Sequence, residues 1–270
     1  MQDRPRDRIA PKALSDHLLA HGRPVVTLAE AAELMGLSHK GAADAIVRLR
    51  RSAQLFSPTP GLYIAIPPEY RLWGAVPALD FIDPMMASLG RSYYVALLSA
   101  AEQLGAAHQR PQVLQVMVDV PLEDRDFGRV KVRFSSSQRA AAVPTERRNS
   151  HTGSFVMSSP EATMLDLSTR PHEAGGLSNV ATVLHELVEA HRIEIDGLIA
   201  AAAAYPASTL RRLGWLLELL GADIDTEALV GTLGDPVVRP TTLLDPGGPR
   251  RGHGDRRWGI VENVLVEPDL

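Results

Sequence analysis

Thr27-Leu28-Ala29-Glu30-Ala31-Ala32-Glu33-Leu34-Met35-Gly36-Leu37-Ser38-His39-Lys40-Gly41-Ala42-Ala43-Asp44-Ala45-Ile46-Val47-Arg48-Leu49-Arg50-Arg51 reads as two helices and the turn between them. Thr27 can cap the first, and Glu30 sits in its first turn, where a carboxylate meets the positive end of the helix. Leu28–Met35 is short and Ala-rich, so it can pack closely, and Gly36 ends it. Leu37 is apolar in the turn, and Ser38 can cap a second helix running to about Ser52. A helix, a Gly turn, an apolar residue and a capped helix give the spacing of a helix-turn-helix.

The second of these helices sorts by face. Ala42, Ala45, Ile46 and Leu49 recur at helical spacing and are expected in a core. His39, Lys40, Ala43, Asp44, Val47, Arg48 and Arg51 fall on the other side. Long cations there can reach phosphates or guanine edges, and Ala43 lets the helix approach a groove wall. Asp44 can accept from a cytosine amine or form an i,i+4 pair with Lys40 or Arg48.

Outward from this stretch, Leu14, Leu18 and Leu19 make an apolar stripe over Pro11–His21, a preceding helix stopped by Gly22. On the other side, Leu55-Phe56 and Leu62–Ile66 flank the turn Ser57-Pro58-Thr59-Pro60-Gly61 and predict a hairpin. A hairpin directly behind a recognition helix is a wing. The whole is expected to be a winged helix-turn-helix with Ser38, His39, Lys40, Asp44, Arg48, Arg51 and, in the wing, Thr59 at the DNA. A three-helix scaffold that binds protein is the alternative.

Charge supports the DNA reading. The 270 residues carry a net −4, yet residues 1–66 hold nine Lys/Arg against six Asp/Glu, so this stretch is +3 and the remainder −7. A basic module on an acidic body suits one nucleic-acid-facing end.

Pro67-Pro68, Pro77 and Pro84 mark an irregular connection, and the boundary is expected near residue 75. Ser92–Leu104 is strongly apolar and is expected to be a buried helix. Val113–Val120, Val130–Phe134 and Ser154–Met157 are expected strands. From Ser159 the chain reads as helical: Pro160–Thr169 behind an N-cap, about Ser178 to His191, Asp196–Tyr205 and Ser208–Leu220. Arg250, Arg251, Arg256 and Arg257 lie among glycines and are expected to form a mobile basic loop, the candidate second DNA contact. A strand-like Trp258–Val266 follows.

Tyr93-Tyr94-Val95 with His108-Gln109, Ser159-Pro160-Glu161-Ala162-Thr163 with Leu165-Asp166-Leu167, Gly175-Gly176-Leu177 with Asn179-Val180-Ala181, and Arg212-Leu213-Gly214-Trp215-Leu216-Leu217-Glu218 resemble the AbiEi family of abortive-infection antitoxins. The resemblance runs through the winged module and the body to about Leu220. It implies an N-terminal winged helix-turn-helix joined to a C-terminal antitoxin domain, and repression of the protein's own operon through inverted repeats. It also implies neutralisation of a cognate nucleotidyltransferase toxin encoded next door, without a stable complex. It carries no catalytic residues across.

Other chemistries find little support. The absence of cysteine removes disulfides, thiolate metal sites and cysteine nucleophiles. His185 and His191 are six apart, about 240° round a helix, so they cannot share a metal from one straight helix. Asp119 lacks the acid-x-Lys partner of a nuclease, since the next strand reads Arg129-Val130-Lys131. Asp166 is expected to fix a buried contact to Arg212, and Trp215 and Trp258 are expected in the core.

The expectation is therefore an α+β chain. Residues 1–75 form a winged helix-turn-helix, and 76–270 a larger mixed α/β antitoxin domain with a helical C-terminal half. The expected partners are double-stranded DNA at an inverted-repeat operator and a nucleotidyltransferase toxin, with a homodimer on DNA. The expectation includes no cofactor, metal, membrane segment or catalysis, and a cytoplasmic location, since Met1–Lys12 has no apolar run behind it. The alternatives are a nucleic-acid-processing enzyme and a ligand-sensing regulator.

Overall fold

The structure is a computed structural model that describes residues 8–106, 112–191, 193–234 and 241–269. It is a mixed α+β fold of helices and three sheets. The expected motif residues His108 and Gln109, and Asp235–Pro240 at the start of the tail, lie outside the described residues.

Local signals set the N-terminal part. The Thr27 side chain accepts from the Glu30 N–H at 3.3 Å while the Glu30 carboxylate accepts from the Thr27 N–H at 2.8 Å. This reciprocal box starts helix α2 (Leu28–Met35), which ends at Gly36 in the left-handed region. Helix α3 (His39–Arg51) follows, with α1 (Leu14–Ala20) packed beside α2. Strands β1 (Val25–Thr27), β2 (Leu55–Thr59) and β3 (Leu62–Ala65) form an antiparallel sheet in the order β1-β3-β2. The expected five-residue turn shortens to Pro60-Gly61, with Gly61 at φ +83°, the Pro-Gly pair that a type II turn takes. Pro58 stays inside β2 because the β2–β3 register shifts between Phe56 and Thr59, and a bulge spares a residue that has no N–H to give.

The hairpin joins two cores. Successive strand residues point to opposite faces. Leu55 and Ala65 therefore close the small core of Leu14, Leu18, Met35, Ile46 and Leu49. Phe56, Leu62 and Ile64 enter the large core of the body. There Phe56 meets Phe81 and Phe127 edge-on, at ring separations of 5.1 and 4.8 Å.

The connection after residue 67 is more regular than its prolines suggest. Helix α4 (Ile82–Leu89) buries Ile82, Met85 and Met86. Pro84 sits in its first turn, where backbone N–H groups have no helical partner to lose.

The body is a six-stranded sheet in the order β6-β7-β5-β4-β9-β8. Its strands are β4 (Tyr93–Val95), β5 (Leu114–Val118), β6 (Arg125–Phe127), β7 (Val130–Ser136), β8 (Thr145–Asn149) and β9 (Ser154–Ser158). The pairs β5–β7 and β4–β9 are parallel and the others antiparallel. The expected helix over Ser92–Leu104 is corrected. Its first part is β4, an inner strand, and only Leu97–Gln103 is helical (α5). Apolar runs buried on both sides carry no period, so the β-forming Tyr-Tyr-Val was hidden in the run.

Helix α6 (Pro160–Thr169) is the hub. Ser159 caps it by accepting from the Ala162 N–H, and every residue from Ala162 to Ser168 is buried. Helices α5, α7 (Leu177–Ala190), α8 (Ile195–Ala202) and α9 (Ala207–Leu219) all pack on it, and α10 (Thr226–Gly231) rests on α8 and α9.

The expected basic loop is interrupted by a small sheet: its four arginines lie in the turns and coil between β10 (Thr242–Leu243), β11 (His253–Asp255) and β12 (Ile260–Glu262), which pair in the order β10-β12-β11. This C-terminal strap lies on α9, with Trp258 fully buried. Among the described residues no helix is long and apolar enough to cross a membrane.

Candidate nucleic-acid interface and antitoxin body

Helix α3 is held from behind and bare in front. Ala42, Ala45, Ile46 and Leu49 are buried. Ser38 Oγ accepts from the Gly41 N–H at 3.2 Å and so fixes where the helix begins. Ser38, His39, Lys40, Asp44, Arg48 and Arg51 are all exposed. Among the described residues none of Lys40, Arg48 and Arg51 pairs with an acid, and the i,i+4 pair expected of Asp44 is not made.

The surroundings add cations that motif reading passed over. Arg48 shares a cleft with Lys12, and Arg50 and Arg51 share another with Phe56 of β2 and Gly74 and Phe127 of the body. Only the charge count of residues 1–66 signalled them. Thr59 is a correction: it is buried at the end of β2, and only the turn residues Pro60 and Gly61 stand out in solvent. The C-terminal cluster is corrected in part. All four arginines are exposed, but Arg257 is held by Glu218 at 2.6 Å and Glu227 at 2.7 Å, whereas no acid partner of Arg250, Arg251 or Arg256 is found among the described residues.

Within the body, two buried polar knots stand where the sequence suggested one. Asp166 and Arg212 do not meet. Asp166 Oδ1 accepts from Tyr94 Oη at 3.2 Å and from Tyr205 Oη at 2.9 Å, while its Oδ2 has no hydrogen-bond partner. Burial pushes its pKa up to about 7, against the lowering effect of the two tyrosines and Arg170. Burial beside this carboxyl raises both tyrosines above their ordinary range. Tyr205, the one hydroxyl outside the motifs, had no sequence signal.

Arg212 instead donates to three carbonyls: Leu244 at 2.7 Å, Ser168 at 2.6 Å and Leu243 at 3.1 Å. Burial lowers its pKa to about 10, which keeps it charged at neutral pH. The rest of its motif also holds the strap. Trp258 Nε1 donates to Glu218 at 2.8 Å, Trp215 Nε1 to Glu262 at 3.1 Å, and Gly214 leaves room for the Trp258 ring.

His185 lies 3.4 Å from Glu189 on an outer face of α7, and His191 contacts the Leu104 carbonyl. Among the described residues no group of three His, Asp or Glu side chains can hold a metal.

Residues 94–219, from Tyr94 of β4 to the end of α9, match the family model described as the AbiEi antitoxin C-terminal domain. This segment is an AbiEi-type antitoxin domain. The AbiEi match takes in both ends of the Tyr94–Asp166–Tyr205 knot and the Arg212–Glu218 motif, and it stops short of the strap. An antitoxin domain of this family implies a toxin as its counterpart in general. The chain is also similar to the crystal structure of the RV2827C protein from Mycobacterium tuberculosis, with a TM-score of 0.66 and 20% identity over 95% of this chain and 93% of that one. At that identity the likeness is one of fold, and it extends over the helices and hairpin that precede the AbiEi domain. No curated protein matches the chain.

Proposed function

We propose that the chain is a DNA-binding autorepressor whose AbiEi domain counteracts a nucleotidyltransferase toxin. Residues 1–75 act as a winged helix-turn-helix. Helix α3 enters the major groove, Lys40, Arg48 and Arg51 hold phosphates or guanine edges, and His39 and Asp44 read bases. The Pro60-Gly61 turn meets the flanking backbone. Two copies occupy an inverted repeat, as a two-fold site requires of a non-symmetric reader. Residues 76–270 carry the antitoxic role, without a catalytic step of their own. Arg250, Arg251 and Arg256 remain the candidate second contact, and Arg257 is withdrawn from it.

The observation that carries this reading is the front of α3. Three long cations stand in solvent with no acid partner among the described residues, on a helix fixed by its own cap and core. Exposed unpaired cations at one face favour a polyanion through counterion release. The test is a gel-shift titration with duplex from upstream of the gene, together with growth rescue when the neighbouring toxin gene is co-expressed. Lys40→Ala with Arg48→Ala is expected to abolish the shift and leave rescue intact. Unchanged retardation of the duplex by that variant would overturn the DNA reading.

A further inference from the structure

We propose that the body carries a second site, a cleft for an unstacked nucleotide base and its phosphate, separate from α3. The cleft, about 490 Å³, opens between residues 70–79, at the junction of the winged module and the body, and the β6–β7 hairpin. That volume suits one nucleotide.

One wall is aromatic. Tyr70 and Trp73 lie with ring centroids 5.3 Å apart, and Trp73 is 39% exposed. An indole half-open at a cleft is costly to leave in water, and it offers the flat face on which a base stacks. The other wall is cationic. Arg129 follows Gly128 at the hairpin tip, is exposed and has no acid partner among the described residues. Lys131 is half-exposed, with only the solvent-facing Asp126 at 3.2 Å.

His151, in the turn between β8 and β9, completes the cleft with its ring in solvent. Its backbone N–H donates to Asp80 Oδ1 at 3.0 Å, and its Nδ1 lies 3.6 Å from the same oxygen. Asp80 is buried and therefore fixes the turn that presents the imidazole. Glu102 is the only acid lining the cleft among the described residues. Arg129 supplies a cation with no acid partner among the described residues, and Lys131 and His151, each beside one carboxylate, add N–H donors for a phosphate, while the aromatic wall selects a base over a bare anion. A free nucleotide and an unpaired strand end present the same chemistry.

The test uses the full chain, with calorimetric titration and tryptophan emission as readouts. The probes are AMP, a 5′-phosphorylated single-stranded (dA)5 and inorganic phosphate. Saturable binding of AMP or (dA)5 is expected, with loss of quenching in Trp73→Leu and at least tenfold weaker calorimetric affinity in Arg129→Ala with Lys131→Ala. Lys40→Ala with Arg48→Ala, the variant expected to lose duplex binding, is expected to leave it unchanged, so failure here and failure of the DNA reading are separate results. Equal affinity for AMP and (dA)5 identifies a free nucleotide as the ligand; higher affinity for (dA)5 identifies a strand. No saturable binding of either, affinity unaltered in the Arg129/Lys131 variant while circular dichroism reports a native fold, or phosphate binding as tightly as AMP would overturn the proposal.

Discussion

The indole of Trp258 occupies the space that a side chain at position 214 would need, so that a Cβ built on Gly214 would overlap the ring. The C-terminal strap and α9 are thus one packed unit, although the AbiEi match ends at residue 219. In an exposed helix, Gly→Ala gains about 1 kcal/mol. Here the overlap outweighs it, and Gly214→Ala is expected to cost about 1–3 kcal/mol. Trp258→Ala is expected to cost about 3–5 kcal/mol through the void it leaves. Urea unfolding measures both, and a Gly214→Ala protein as stable as the parent would show that the strap is not seated on α9.

Asp166 predicts a pH dependence with a definite sign. Its folded pKa, about 7, stands above the ordinary 3.8. Between those values the folded state binds more protons than the unfolded state. Stability contributed by this group is present below about pH 4 and is lost as pH rises to about 7, at about 1.4 kcal/mol for each pH unit over which the states differ by one proton. Asp166→Asn keeps an acceptor for Tyr94 and Tyr205 without a charge. Its unfolding free energy is expected to fall less from pH 5 to pH 8 than that of the parent. Parallel pH profiles for the two proteins would rule out Asp166 as the source.

Arg212→Met is expected to weaken the strap. It keeps much of the buried stem but orphans three carbonyls, at about 1–3 kcal/mol for each one left without a partner. Hydrogen exchange locates the effect: amides of β10 and β12 should lose protection before those of β4 and β5. Uniform loss across the chain would contradict a local role.

For α3, each cation taken away from a DNA phosphate lowers the slope of log affinity against log salt by roughly 0.9. Arg48→Ala with Arg51→Ala is therefore expected to reduce it by up to about 2. Arg257→Ala is expected to leave the slope unchanged, because Glu218 and Glu227 already hold that guanidinium. A reduced slope in the Arg257 variant would return this residue to the DNA surface.

The shared hairpin bears on where the chain can be cut. A fragment beginning at residue 78 lacks Phe56, Leu62, Ile64 and Ile66, all buried in the body's core. It is expected to unfold at lower urea than a fragment beginning at Gln54, which keeps them. Equal midpoints would show that the hairpin belongs to the N-terminal core alone.

Much of this was legible locally. The Thr27–Glu30 box, the Ser38 and Ser159 caps and the buried face of α3 each depend on residues within one or two helical turns. Periodicity and capping chemistry therefore report them. The candidate DNA face was legible for the same reason, since a helix phased by its own core exposes a calculable remainder. Tyr93–Val95 was not legible as a strand, because burial on both faces erases the period that distinguishes it from the helix next to it.

The chain by itself determined most of its longer helices, its caps, the cationic front of α3 and the motifs that mark the AbiEi domain. Only the tertiary structure decided which distant groups meet: Asp166 with Tyr94 and Tyr205 rather than Arg212, Arg257 with Glu218 and Glu227 at the surface, and Thr59 inside rather than on the wing. The physical reason is range. Helix phase and capping are set by neighbours a few residues away, whereas the partner of a buried polar group is whichever element the packed core brings within hydrogen-bond reach, 31 to 72 residues along the chain for Asp166 with its tyrosines and Arg212 with its carbonyls.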